Sequence, residues 1–180
     1  MSSSLGHTHH HHEHDHHEEP MSPEGAVNLL LVLGQTALEA GDYESAADAY
    51  ASILKIEQNE TALYNLGSFY ARGVGLRQSY VEGARLFHQA ELLGNAKAGK
   101  LCAKCMFDFL HEDLDSKSPA DLYAAMAVFV SRVYPEAVNQ KDEVNRGLLA
   151  IAVTHLNRGE DTQAAQFLRA AAEFGDDKCG

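Results

Sequence analysis

TALYNLGSFYARGVGLRQSYVEGARLFHQAELLGN, residues 61–95, is the clearest unit in the chain. Leu63, Leu66, Gly67 and Tyr70 come first, followed by Gly83, Phe87 and Ala90. At 3.6 residues per turn each set falls on one helical face, so the stretch reads as two amphipathic helices facing each other. Gly67 and Gly83 have no side chain to hold the backbones apart, and Tyr70 and Phe87 fill the seam above and below them. Gly73 is placed to end the first helix in the left-handed conformation. The run Ser79-Tyr80-Val81-Glu82 reads as a capping box opening the second.

Variants of this pattern stand on both sides. Upstream, Ser22-Pro23-Glu24 supplies an N-cap, a first-turn proline and an acid, so a helix begins near residue 23 and ends near Ala40-Gly41. Within it Leu30, Leu33, Gly34 and Ala37 repeat the seam spacing, and Gly34 precedes Gly67 by 33 residues. The turn from Gly41 to Ala46 leads into a partner helix carrying Ala46, Tyr50, Ile53 and Leu54. Downstream, Cys102, Ala103 and Met106 take the places of Leu66, Gly67 and Tyr70. The polar run from His111 to Lys117 ends that helix, Ser118-Pro119-Ala120-Asp121 caps another with Leu122, Met126, Phe129 and Val133 in period, and Pro135 stops it. In the last unit Leu148, Ile151, Ala152 and His155 precede Gly159 to Ala164, which echoes Gly41 to Ala46, and Leu168, Ala171 and Ala172 follow. Thr162, Gln166, Arg169 and Glu173 give the final helix a polar stripe.

The residues Ala62, Leu66-Gly67, Tyr70, Gly73-Val74-Gly75, Ala84 and Gln89-Ala90 through Gly94-Asn95-Ala96 resemble the tetratricopeptide repeat and its longer-looped relative, the Sel-one-like repeat. The spacing of Gly34 and Gly67 is one short of the usual repeat length of about 34. The resemblance implies an all-α solenoid of about four helix-turn-helix repeats, eight helices in all, over residues 23–175. A histidine-rich tail, 1–22, precedes it, and a frayed end, 176–180, follows. The tail has almost no apolar residues with which to offset its ordering entropy and reads as disordered.

Composition sets the outer bounds. The 180 residues are 45% hydrophobic and 22% charged, with no apolar run approaching the roughly 20 residues a membrane span needs. The first twenty residues hold no Lys or Arg and no apolar segment to act as a secretory signal, and three cysteines do not make a disulfide framework; the expected location is the cytoplasm. A net charge of −12 argues against nucleic acid, which demands a basic face.

Three features are candidate sites. Eight of the eleven histidines lie in the tail. His9, His10, His11, His12, His14, His16 and His17, interleaved with Glu13 and Asp15, have the composition to wrap Zn²⁺ or Ni²⁺; a purification tag is the other reading. Cys102-x-x-Cys105 has thiol-site spacing but falls inside a helix, where a pair of packing cysteines is expected. His111-Glu112-Asp113 and Cys179 would add ligands to it only if the fold gathered them. No catalytic triad, phosphate-cradling loop or paired carboxylate is present, so no enzyme is expected.

The third feature is a groove. In such arrays the first helices of the hairpins line a surface that captures a peptide. Off-seam residues expected there are Leu31 and Gln35 in unit one, Tyr64, Asn65 and Ser68 in unit two, and Lys97, Lys100 and Lys104, with Leu101, in unit three. The lysines form a positive stripe suited to an acidic segment. The resemblance also implies comparison with co-chaperones that grip a carboxylate: Asn65 and Lys97 match that clamp, while Leu31 and Leu101 stand where it has Lys and Arg. Leu29 to Leu38 carries more apolar surface than one seam buries, which suits self-association through the first helix. The expected function is a non-catalytic adaptor binding a peptide or partner protein. The alternative is a metal-handling protein that uses the tail.

Overall fold

Stacked helices build the chain, and the computed structural model describes residues 3, 5, 6, 8–10 and 18–175. Among them there is no strand, and eight α-helices follow in order: α1 (Pro23–Glu39), α2 (Tyr43–Leu54), α3 (Glu60–Arg72), α4 (Tyr80–Leu92), α5 (Ala96–His111), α6 (Pro119–Val133), α7 (Gln140–Asn157) and α8 (Asp161–Phe174), with a single 3-10 turn at Leu114–Ser116 before α6. The ends follow the local chemistry. Ser22, Asp42, Asn59, Ser79, Asn95, Ser118 and Asn139 each accept a backbone N–H from the first turn of the helix they precede. Gly73, at φ 65°, ends α3 in the left-handed conformation.

Consecutive helices pack in pairs, an all-α helical repeat solenoid. In the pair of α3 and α4 a Cβ on Gly67 would stand 3.1 Å from the Phe87 ring and 3.3 Å from the Gly83 carbonyl, so the glycines set the helix spacing as their positions predict. In the pair of α1 and α2 the Tyr50 ring lies on Gly34 in the same way, where a Cβ would come within 2.9 Å. Ala62, Leu63, Leu66, Phe69, Ala84, Phe87 and Ala90 are buried into one continuous core that also takes in Tyr50, Ile53, Phe129, Leu148 and Phe167.

Unit three departs from the expected hairpin. α5 lies on α4 as closely as α3 does, but α5 and α6 scarcely meet, and α6 packs instead on α7, α8 and α4. The residues explain it. Ala98, Cys102 and Cys105, which face α4, are buried, whereas Ala103, standing where unit two has Gly67, is exposed. The pair has no glycine crossing. Met106 and Met126 bridge it by meeting at Gly147 of α7, where a Cβ would lie 2.8 Å from the Met126 sulfur and 3.4 Å from that of Met106. An ion pair, Glu82 to Arg132 at 3.0 Å, ties α6 to α4.

Three further expectations change. Leu168 and Ala172, placed in the α8 seam by spacing, are exposed, and Phe167 and Ala170 are buried there instead. Leu33, placed in the seam by spacing, is 51% exposed, and Val27 is buried instead. With Leu29 and Val32 it forms an open apolar face on α1. At the 33-residue offset Leu29 and Leu33 correspond to Ala62 and Leu66, which are buried in the core beside α2; no helix precedes α1 among the described residues to cover them. Ser79 caps α4, but the Glu82 carboxylate turns to Arg85 and Arg132 rather than back to the cap, so the box there is half made. The reciprocal box forms at Ser118 and Asp121. No described helix is long and apolar enough to cross a membrane.

Candidate functional site

α3 and α5 lie side by side on α4, and between them runs a furrow enclosing about 290 Å³. Its floor is apolar: Phe87 from α4, Cys105 and Leu101 from α5, Ala71 from α3 and Tyr80 at the start of α4. Its rim is charged, with Arg72 at the end of α3 facing Lys104 and Asp108 on α5. Phe87 and Cys105 are 2% and 4% exposed, so the floor is continuous with the core. The Tyr64 ring meets Phe87 edge-on at 5.9 Å but does not itself line the furrow. Ser68, on the α3 wall, turns its hydroxyl to the Tyr64 carbonyl at 3.0 Å.

The furrow gathers some of the predicted groove residues and not others. Ser68, Leu101 and Lys104 line it. Asn65 donates to the Thr61 carbonyl of its own helix at 2.9 Å. Lys97 and Lys100 are exposed on α5 nearer its N-terminus. Leu31 is half-buried against the core and the Gln35 amide donates to Glu39 at 2.8 Å, both on α1 and outside the furrow. The lysine stripe is shorter in charge than in sequence. Lys104 Nζ stands 2.7 Å from the Asp108 carboxylate, and that hydrogen bond holds its pKa above the usual value. Lys97, Lys100 and Arg72 make no ion pair among the described residues.

The two cysteines are free and buried within α5. Burial pushes the Cys102 thiol up to about 11 and that of Cys105 up to about 12, so both are protonated at neutral pH. Cys102 Sγ lies 3.4 Å from the Tyr134 hydroxyl, and burial raises that phenol as well. Cys179 lies outside the described residues, as do His11, His12, His14, His16 and His17; His9 and His10 are exposed. Among the described residues no three His, Cys, Asp or Glu side chains converge as a metal-binding group.

Sequence spacing missed Arg72, Tyr80, Phe87, Cys105 and Asp108, because a wall built by three helices is not periodic in any one of them. A second omission was legible. Carrying the α3 register forward by 85 residues takes Tyr64, Ser68 and Ala71 to Leu149, Val153 and Leu156 on α7, which are 45%, 52% and 47% exposed. Compared with known protein families, curated proteins and solved structures, the chain matches none of them.

Proposed function

We propose that the protein is a non-catalytic adaptor that captures a segment of a partner protein in the furrow between α3 and α5. The observation that carries the reading is the furrow itself: an apolar floor of Phe87, Leu101 and Cys105 under a rim where Arg72 has no ion pair among the described residues. A space of about 290 Å³ suits one or two large apolar side chains rather than a cofactor. The unpaired Arg72, with Lys97 and Lys100 beyond it, favours an acidic residue next to that anchor. The preformed walls leave most of the ordering cost to the segment. With a net charge of −12 the chain repels nucleic acid, and its free thiols fit the cytoplasm. In the same reading the open α1 face of Leu29, Val32 and Leu33 joins two copies, which sedimentation over a range of concentrations tests.

Peptide display against the full chain tests the furrow. The selected sequences should share a large apolar residue beside Asp or Glu, and should lose binding to Arg72→Glu and to Ser68→Phe. Peptides indifferent to both substitutions would remove the furrow from the account.

A further inference from the structure

Gly159 to Ala164 echoes Gly41 to Ala46, so α7 and α8 repeat the register of α1 and α2 118 residues on. That register takes Leu30, Leu33, Ala37 and Ala49 to Leu148, Ile151, His155 and Phe167, all of them buried, with α6 packed across both helices. In the first pair no described helix takes the place of α6. Leu33 is half-exposed there, and an open groove of about 500 Å³ runs between α1 and α2, lined by Leu33, Thr36, Ala37, Asp42, Asp48 and Ala49.

The far end is the converse. α2 meets α3 through Tyr50, whose ring lies 6.1 Å from that of Phe69, and α6 meets α7 through Met126, whose sulfur lies over Gly147. Tyr50 and Met126 are fully buried. The 118-residue register carries Tyr50 to Leu168, and setting Ser118, the N-cap of α6, on Glu160, that of α8, carries Met126 to Leu168 as well. Yet Leu168 is 39% exposed, and Ala172, one turn on, is exposed too. With Leu149 of α7 and Ala171 they line a second groove, of about 340 Å³. The polar stripe of Thr162, Arg169 and Glu173 stands beside that groove and does not line it. The two ends are therefore the halves of one junction of the kind that joins α6 to α7.

We propose that each end is covered by the opposite end of a second copy: α8 of one chain packs into the α1–α2 groove of the next, as α6 packs on α7 and α8 within the chain. Leu168 then takes the place of Met126. Gly147, which Met126 touches, corresponds to Leu29, so Leu168 meets Leu29 and Leu33 of the next copy. Burial of these side chains drives the contact, and charge sets its polarity. The first pair and its turn carry Glu24, Glu39, Asp42, Glu44 and Asp48 with no Lys or Arg, so pairing α1 with α1 would set acid against acid. At the other end Arg169, exposed next to Leu168, has no ion pair among the described residues and arrives at a surface that offers it carboxylates. The contact is heterologous, so it repeats into chains or closes into a ring. It rests on the adaptor reading only for the pairing of copies through α1, and it shares no residue with the furrow.

The test is sedimentation of the full chain in EDTA, up to about 300 μM, beside Leu33→Glu and Leu168→Glu, both at exposed positions. The wild type should self-associate. Each variant alone should stay monomeric, because each has lost one half of the junction. An equimolar mixture of the two should form a dimer and stop there, joined by the intact α8 of the Leu33→Glu chain and the intact α1 of the Leu168→Glu chain. Wild-type self-association that survives in Leu168→Glu alone overturns the proposal and leaves α1 pairing with itself. A monomeric wild type, or a mixture that stays monomeric, overturns it as well. Furrow peptides should bind the monomeric variants as they bind the wild type, so failure of the furrow is read separately from failure of the junction. Should either Glu variant fail to fold, Leu29→Cys and Leu168→Cys chains, each also carrying Cys179→Ser, are mixed under mild oxidation. A disulfide dimer containing one chain of each kind supports the junction, and homodimers alone, or no dimer, refute it.

Discussion

Gly83→Ala probes the seam between α3 and α4. A Cβ at Gly83 would stand 3.1 Å from the Ala71 nitrogen, 3.1 Å from the Gly67 carbonyl and 3.2 Å from the Ala71 Cβ. Two of those neighbours are backbone, so α3 must move away by a few tenths of an ångström. Overpacking of that kind costs about 1–3 kcal/mol. Replacing a helical glycine by alanine returns about 1 kcal/mol of propensity. The net expectation is a loss of about 1 kcal/mol. Gly99→Ala is the matched control. It is also within a helix, but its nearest neighbour is the carboxylate end of the exposed Glu91 side chain, which can swing aside. That substitution should keep most of the propensity and stabilise by about 0.5–1 kcal/mol. Urea denaturation followed by far-UV circular dichroism, with the slope on denaturant unchanged, measures both. The two variants should therefore move in opposite directions. If Gly83→Ala stabilises as much as Gly99→Ala, the helices are not held at glycine distance and the seam is wrong.

Tyr50 is fully buried with its hydroxyl lacking a hydrogen-bond partner, and burial alone raises its pKa. Tyr50→Phe removes that unsatisfied group and should raise stability by about 1 kcal/mol in the same assay; a loss would reveal a partner for the hydroxyl. Cys102 and Cys105, with thiols pushed up to about 11 and about 12, should resist a thiol reagent in the native protein and react on unfolding. Site-resolved mass spectrometry reads this, and fast native labelling of either would show α5 to be less closed.

Legibility in the sequence tracked how local each cause is. Helix ends were readable at Ser22, Gly73 and Ser118, because capping is settled within one turn. The crossing at Gly67 and Gly83 was readable because glycine placement fixes backbone distance. Unit three was less so. Ala103 and Met106 kept the spacing of a seam, but without a glycine crossing α6 found better partners in α7 and α8. Leu33 kept the spacing as well, and nothing local says that α1 has no neighbour on that side. In the furrow, Ser68 and Lys104 were reached from single-helix periodicity, while Arg72, Phe87 and Asp108 needed the mutual placement of α3, α4 and α5. His155 carried a signal of its own, a titratable ring in an aromatic slot. Its partner His111 is fixed only by the tertiary fold.

The central claim is that the furrow is where a partner segment docks. Backbone NMR of the ¹⁵N-labelled full chain, titrated with a display-selected peptide, tests it most directly. The account predicts shift changes concentrated at Ser68, Ala71, Arg72, Leu101 and Lys104. Changes confined to Leu29, Val32 and Leu33 on α1, with the furrow silent, would contradict it.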